Sequence, residues 1–114
     1  MSSLSPVKLS NIKRHEIREI PLGPDNQRFD LVLGAINCSF SLEWNHMADV
    51  WMLSVTRRDT NKIVLNNIPL LTEVNLLQQY GYQHVPGVLM LLSSESVNHD
   101  NIGTKARLYY MWLK

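Results

Sequence analysis

Five side chains in this sequence are suited to binding a transition metal or passing protons near neutral pH: His15, His46, His84, His99 and Cys38. A local metal motif would set two ligands on one strand face at i, i+2, or on one helix face at i, i+4. No histidine stands at either spacing from another, and no cysteine or acidic residue completes a ligand pattern. The histidines fall at a strand start and in loops, where exposed, solvated imidazoles are expected. Cys38 sits on the apolar side of a strictly alternating stretch, so it is expected to fill core with its thiol protonated. As the single cysteine, it excludes an intrachain disulfide and fits a reducing compartment. The chain has no Gly-x-Ser-x-Gly elbow, no phosphate-cradling glycine loop and no dinucleotide fingerprint. Glu19, Glu43, Glu73 and Glu95 show no pairing that would suggest acid–base catalysis. These absences lead us to expect no catalytic residue, no metal and no cofactor.

Nucleic-acid binding is the next chemistry to weigh. Small barrels hold single strands on aromatic side chains interleaved with Lys and Arg on one exposed sheet face. Here Phe29, Phe40, Trp44 and Trp51 fall on the inward sides of their strands. Arg107, Tyr109 and Met111 form the basic–aromatic stripe that could face outward, and these residue types are also those favoured at protein interfaces. Eleven basic residues stand against ten acidic ones, for a net charge of +1. That balance gives no general electrostatic reason to expect nucleic acid or an anionic membrane as partner. A small β-barrel that binds oligonucleotides remains the alternative to a protein-binding role.

The elements that would position these residues follow a period of two. The chain has 114 residues, 45% hydrophobic and 18% charged, as expected of one folded domain. No run of about 18 apolar residues is present to span a bilayer. Residues 1–14 are Ser-rich, carry Lys8, Lys13 and Arg14, and lack a secretory apolar region. They read as a tail, or as an arm using Leu4, Val7, Leu9 and Ile12 to order against a neighbouring subunit, ahead of a single β domain at 15–114. Within that domain a strand is expected over 17–22, closed by Pro21, and a second carries Phe29, Leu31 and Leu33 on one face. After a reversal at Gly34-Ala35, Ile36, Cys38, Phe40, Leu42 and Trp44 alternate with polar residues. Apolar residues so spaced line one face of a strand but would scatter around a helix. Trp51, Leu53 and Val55 face inward on the next strand. Residues 62–65 continue the meander, and Asn66-Asn67 is expected to interrupt it before Ile68-Pro69-Leu70. Only residues 75–80 look helical, with Asn75 as cap, Leu76 and Tyr80 on one face and Gly81 as stop. The apolar run at 88–92 predicts a strand buried on both sides. After a polar loop at 93–103, the last strand sets Ala106, Leu108, Tyr110 and Trp112 against Arg107, Tyr109, Met111 and Leu113. The whole predicts an all-β fold, a small antiparallel barrel or sandwich of six to seven strands with one short helical turn.

Taken in order, these segments resemble the phage baseplate plug family, small central baseplate proteins of contractile-tailed phages. The likeness is carried by Glu19-Ile20-Pro21-Leu22, by Asn26-Gln27-Arg28-Phe29, and by Phe40, Leu42, Trp44 and Asn45 with Trp51-Met52-Leu53-Ser54. Ile68-Pro69-Leu70, Asn75-Leu76-Leu77 and Tyr80 continue it, and Asn101-Ile102-Gly103 with Arg107-Leu108-Tyr109-Tyr110 completes it. The likeness covers about residues 17–113. Two positions depart from the family pattern: Asn67 stands where a glycine is usual, and residues 81–87 are poorer in glycine and bulkier. The resemblance implies a non-enzymatic virion protein, made in the host cytoplasm, that plugs the tail tube beside the hub, tube and spike proteins until contraction. It also implies repeated copies around the tail axis, in threefold or sixfold arrangement, with no nucleic acid or membrane as partner. A ring of identical copies needs two unlike faces on each. Residues 1–14 and the C-terminal strand with apolar groups on both sides are the candidates for these faces, the named positions being Leu4, Val7, Leu9, Ile12, Arg107, Tyr109, Met111 and Leu113.

Overall fold

A computed structural model describes residues 15–78 and 85–113. Seven strands follow in chain order: β1, His15–Ile20; β2, Gln27–Leu33; β3, Ile36–Asn45; β4, Val50–Arg57; β5, Ile63–Pro69; β6, Val88–Ser93; and β7, Ala106–Leu113. Every neighbouring pair is antiparallel. They form two sheets, ordered β2-β3-β4-β5 and β1-β7-β6, so the architecture is an open sandwich and not a closed barrel.

The alternation in the sequence sets which side of each strand is buried. In β3 and β4, Cys38, Phe40, Leu42, Trp51, Leu53 and Val55 are all buried, and the residues between them are more open. From the smaller sheet Ile20, Leu89, Leu91, Leu108 and Tyr110 meet them. Register is reinforced by aromatic pairs directly across the ladder. Phe29 opposes Phe40 with rings stacked at 5.0 Å, and Trp44 opposes Trp51 edge-on at 5.3 Å. Such pairs add roughly 0.2–1 kcal/mol each and disfavour a slip that would turn the apolar row toward water.

The strand β5 differs from expectation. Asn66-Asn67 does not interrupt it but forms a bulge within one continuous strand. Leu53 pairs with Ile68 and Val55 with Leu65, so two residues of β5 face Ser54 alone. Asn67 takes φ +52° and donates its backbone N–H to Ser54 Oγ at 2.9 Å. A second register shift, after Val55, leaves the adjacent Val64 and Leu65 both buried.

Residues 70–78 then bind the two sheets together. Leu70 N–H donates to the Trp51 carbonyl at 2.9 Å, Thr72 bridges Leu91 in parallel, and Glu73 N–H donates to the Leu91 carbonyl at 2.9 Å. The helical turn is present at 76–78, with Asn75 Oδ1 accepting from Leu77 N–H at 3.2 Å as a cap does. The same oxygen accepts from Leu89 N–H at 3.2 Å, which ties the turn to β6. The expected end of this turn, at Tyr80 and Gly81, lies outside the described residues.

The loop between β6 and β7 is shaped by two asparagines. Asn98 Oδ1 accepts from Asp100 and Asn101 N–H, while Asn101 Oδ1 accepts from Asn98 N–H at 2.9 Å. Asn101 is 7% exposed, and its amide also donates to the Ser96 carbonyl at 2.8 Å. A Cβ on Gly103 would stand 2.0 Å from the Leu22 carbonyl oxygen, so only glycine lets this loop close onto the chain after β1.

Candidate functional site

Of the side chains named above as possible chemistry, Cys38 is taken up wholly by packing and His99 in part. Cys38 has no exposed surface; burial pushes its thiol up to about 11, against an opposing pull from Arg57. It is an inert core thiol at neutral pH. His99 corrects the expectation of a freely solvated imidazole. Its ring stacks on Trp51 at 5.2 Å and meets Trp44 edge-on at 5.0 Å, while Nδ1 lies 2.9 Å from Asp100 Oδ1. His46 is exposed, whereas the side chain of His15 and all of His84 lie outside the described residues. Among the described residues no group of three His, Cys, Asp or Glu side chains could hold a metal ion. Nor is any helix among them long and apolar enough to cross a membrane.

The two outer faces of the sandwich differ sharply in chemistry. The outer face of β2-β3-β4-β5 presents Arg28, Asp30, Ser39, Ser41, Glu43, Ser54, Thr56 and Asn67 around a shallow groove. Its polar groups bond to one another: Ser39 Oγ donates to Asp30 at 2.8 Å, and Arg58 pairs with the same carboxylate. Val32 and Ile63, 40% and 56% exposed, stand on the same side along its two edge strands.

The outer face of β1-β7-β6 is apolar. Antiparallel register sets its residues in rows: Ile17, Met111 and Val88; then Glu19, Tyr109 and Met90; then Arg107 beside Leu92. Ile17, Val88, Met90, Leu92, Tyr109 and Met111 line an open groove of about 260 Å³ whose lining surface is entirely apolar. Ile17 is 69% exposed and Leu92 is 44% exposed. This apolar groove lies on the side of the sheet away from the core.

The groove's floor is fixed from beneath. On the inner side of β7, Tyr110 is fully buried, stacks on Trp112 at 5.1 Å and donates its hydroxyl to the Pro86 carbonyl. Burial pushes its phenol up to about 12. A Cβ on Gly87 would lie 2.5 Å from the Met111 carbonyl oxygen, so this glycine lets the chain entering β6 press against β7. The groove therefore rests on a rigid ladder.

Of the residues named from the sequence, Tyr109 and Met111 lie half-buried within this groove. Arg107 stands at its border, where Nη1 lies 3.4 Å from Glu19 Oε1 and Nε donates to the Thr104 carbonyl at 2.8 Å. Leu113 pairs with His15 in the ladder, but its side chain lies outside the described residues, as do Leu4, Val7, Leu9 and Ile12. Sequence reasoning missed Ile17, Val88, Met90 and Leu92. Val88, Met90 and Leu92 were expected inside a strand buried on both sides. Instead β6 buries Leu89 and Leu91 and leaves its other face open. The signal for Ile17 was its parity with Glu19, opposite to the buried Ile20. Among the described residues Phe40 and Trp51 are core, and Tyr109 lies among aliphatic and Met side chains.

A family model described as "Cyanophage baseplate Pam3 plug gp18" matches residues 17–112, from within β1 to the penultimate residue of β7. No curated protein matches the chain.

Proposed function

Because this chain belongs to the phage baseplate plug family, that of the cyanophage baseplate Pam3 plug gp18, we propose that it closes the central tube of a contractile tail near the spike. Membership in the family indicates a structural part in the baseplate of the virion tail, in association with other baseplate proteins. The finer reading is that the protein acts without catalysis, by fitting surfaces of the hub, tube and spike proteins and of further copies around the tail axis. It is made in the host cytoplasm and carried into the virion.

The observation that carries this reading is the apolar outer face of β1-β7-β6 on a domain already packed on its inner side. Buried against a partner, aliphatic and Met side chains contribute about 25 cal/mol per Å² of apolar surface removed from water. Arg107 and Glu19 would form a polar border to such a contact, the usual plan of an interface core and rim. Co-purification from disrupted tails tests the reading. The chain should remain with hub and spike proteins when the sheath is removed, and its absence from purified tails would contradict the proposal.

A further inference from the structure

We propose that the groove on β1-β7-β6 of one copy receives residues 1–14 of the next copy, with Val7 and Leu9 as anchors. The inference rests on the plug reading for its repeated copies, and adds how neighbouring copies join. The groove, at about 260 Å³, is of a size to take a few side chains of an extended peptide. Met90 and Met111 give it walls that adapt to inserted aliphatic groups.

The fourteen residues outside the described chain supply such a peptide. They end at His15, the first residue of β1, and Ile17 of that strand forms the groove's margin. The segment is thus tethered at the edge of the sheet it would complete. Val7 and Leu9 share a face in an extended chain, with Leu4 and Ile12 to either side. The segment carries Lys8, Lys13 and Arg14 and no acidic residue, while Glu19 lies on the grooved face and Glu73 is exposed beside β6. Segment and groove match in apolarity, and because Glu19 is already paired with Arg107, the segment's cations are complemented chiefly by Glu73.

The direction of the chain favours a second copy as host. β1 begins opposite Leu113, at the end of its own sheet, so residues 1–14 would have to reverse to return to their own groove, and between Val7 and Ile20 only Ser10-Asn11 is of turn-forming type, with neither glycine nor proline. Continued along β1, seven extended residues reach roughly 23 Å beyond the domain. Segment and groove are unlike surfaces, so their pairing is heterologous and closes copies into a ring or extends them into a row.

Full-length variants test this by sedimentation velocity across a concentration series, with thermal unfolding as the check on folding. The wild-type chain should associate as its concentration rises. Leu9→Asp, which spoils the segment, and Met111→Arg, which spoils the groove, should each weaken self-association by roughly tenfold or more. Mixed together, the two variants should form a heterodimer, because one supplies an intact groove and the other an intact segment. Met90→Arg serves as the groove variant if Met111→Arg lowers the melting temperature. A mixture that stays monomeric, a wild-type chain that never associates, or a Leu9→Asp chain that associates as wild type would each overturn the proposal. Pairing restored in the mixture, with the chain missing from tails, would sink the plug reading alone. A chain found on the tail axis, with a monomeric mixture, would sink this proposal alone.

Discussion

Trp51 has no exposed surface and lies between Trp44 and His99, so removing its ring empties the middle of the sandwich. Trp51→Ala should cost about 3–5 kcal/mol in a urea titration, and Trp44→Ala, on a half-buried residue, clearly less. Asn67 tests a different physical cause. Its left-handed backbone, at φ +52°, is a conformation that asparagine and glycine tolerate and alanine does not readily adopt. Asn67→Ala should therefore lose roughly 1–2 kcal/mol, while Asn67→Gly should leave the unfolding midpoint close to wild type. Cys38 and Tyr110 make stability depend on alkaline pH. Each has a folded pKa raised above its ordinary value, from 9.0 to about 11 and from 10.0 to about 12. The unfolded chain therefore releases these protons first, and stability falls as pH rises. The contribution of Cys38 is intact below pH 9 and lost by about 11; that of Tyr110 is intact below pH 10 and lost by about 12. Denaturation midpoints measured from pH 8 to 12 should show this decline, and Tyr110→Phe should flatten its upper part.

At the scale of elements, what could be read in the sequence was the period of two. β3 and β4 alternate because one wall meets the core and the other meets water, and their register follows from Phe29–Phe40 and Trp44–Trp51. The run Val88–Ser93 was ambiguous for a physical reason. Continuous apolarity signals burial on both sides without saying whether the second cover belongs to the same chain. In β6 Leu89 and Leu91 face the core, while Val88, Met90 and Leu92 line the open groove. The bulge in β5 depends on one backbone angle, and the packing of His99 depends on a loop held by Asn98 and Asn101. Neither leaves a periodic trace. If the groove is an interface, Tyr109→Ala and Met111→Ala should keep the melting temperature near wild type yet reduce incorporation into tails. A thermal loss equal to that of Trp51→Ala would contradict the division of β7 into a core side and a contact side.

For the whole molecule, the two sheets give one wet face and one dry face. The four-stranded sheet turns hydroxyls and paired charges outward, and the three-stranded sheet turns out aliphatic, Met and Tyr side chains. The family match, over residues 17–112, covers nearly all of the sandwich. Cryo-electron microscopy of the parent virion tests the central claim most directly. The account predicts this chain at the centre of the baseplate, with protein density covering Ile17, Met90, Tyr109 and Met111 in every copy. A reconstruction showing the chain with that face open to solvent, or tails that lack the chain, would contradict it.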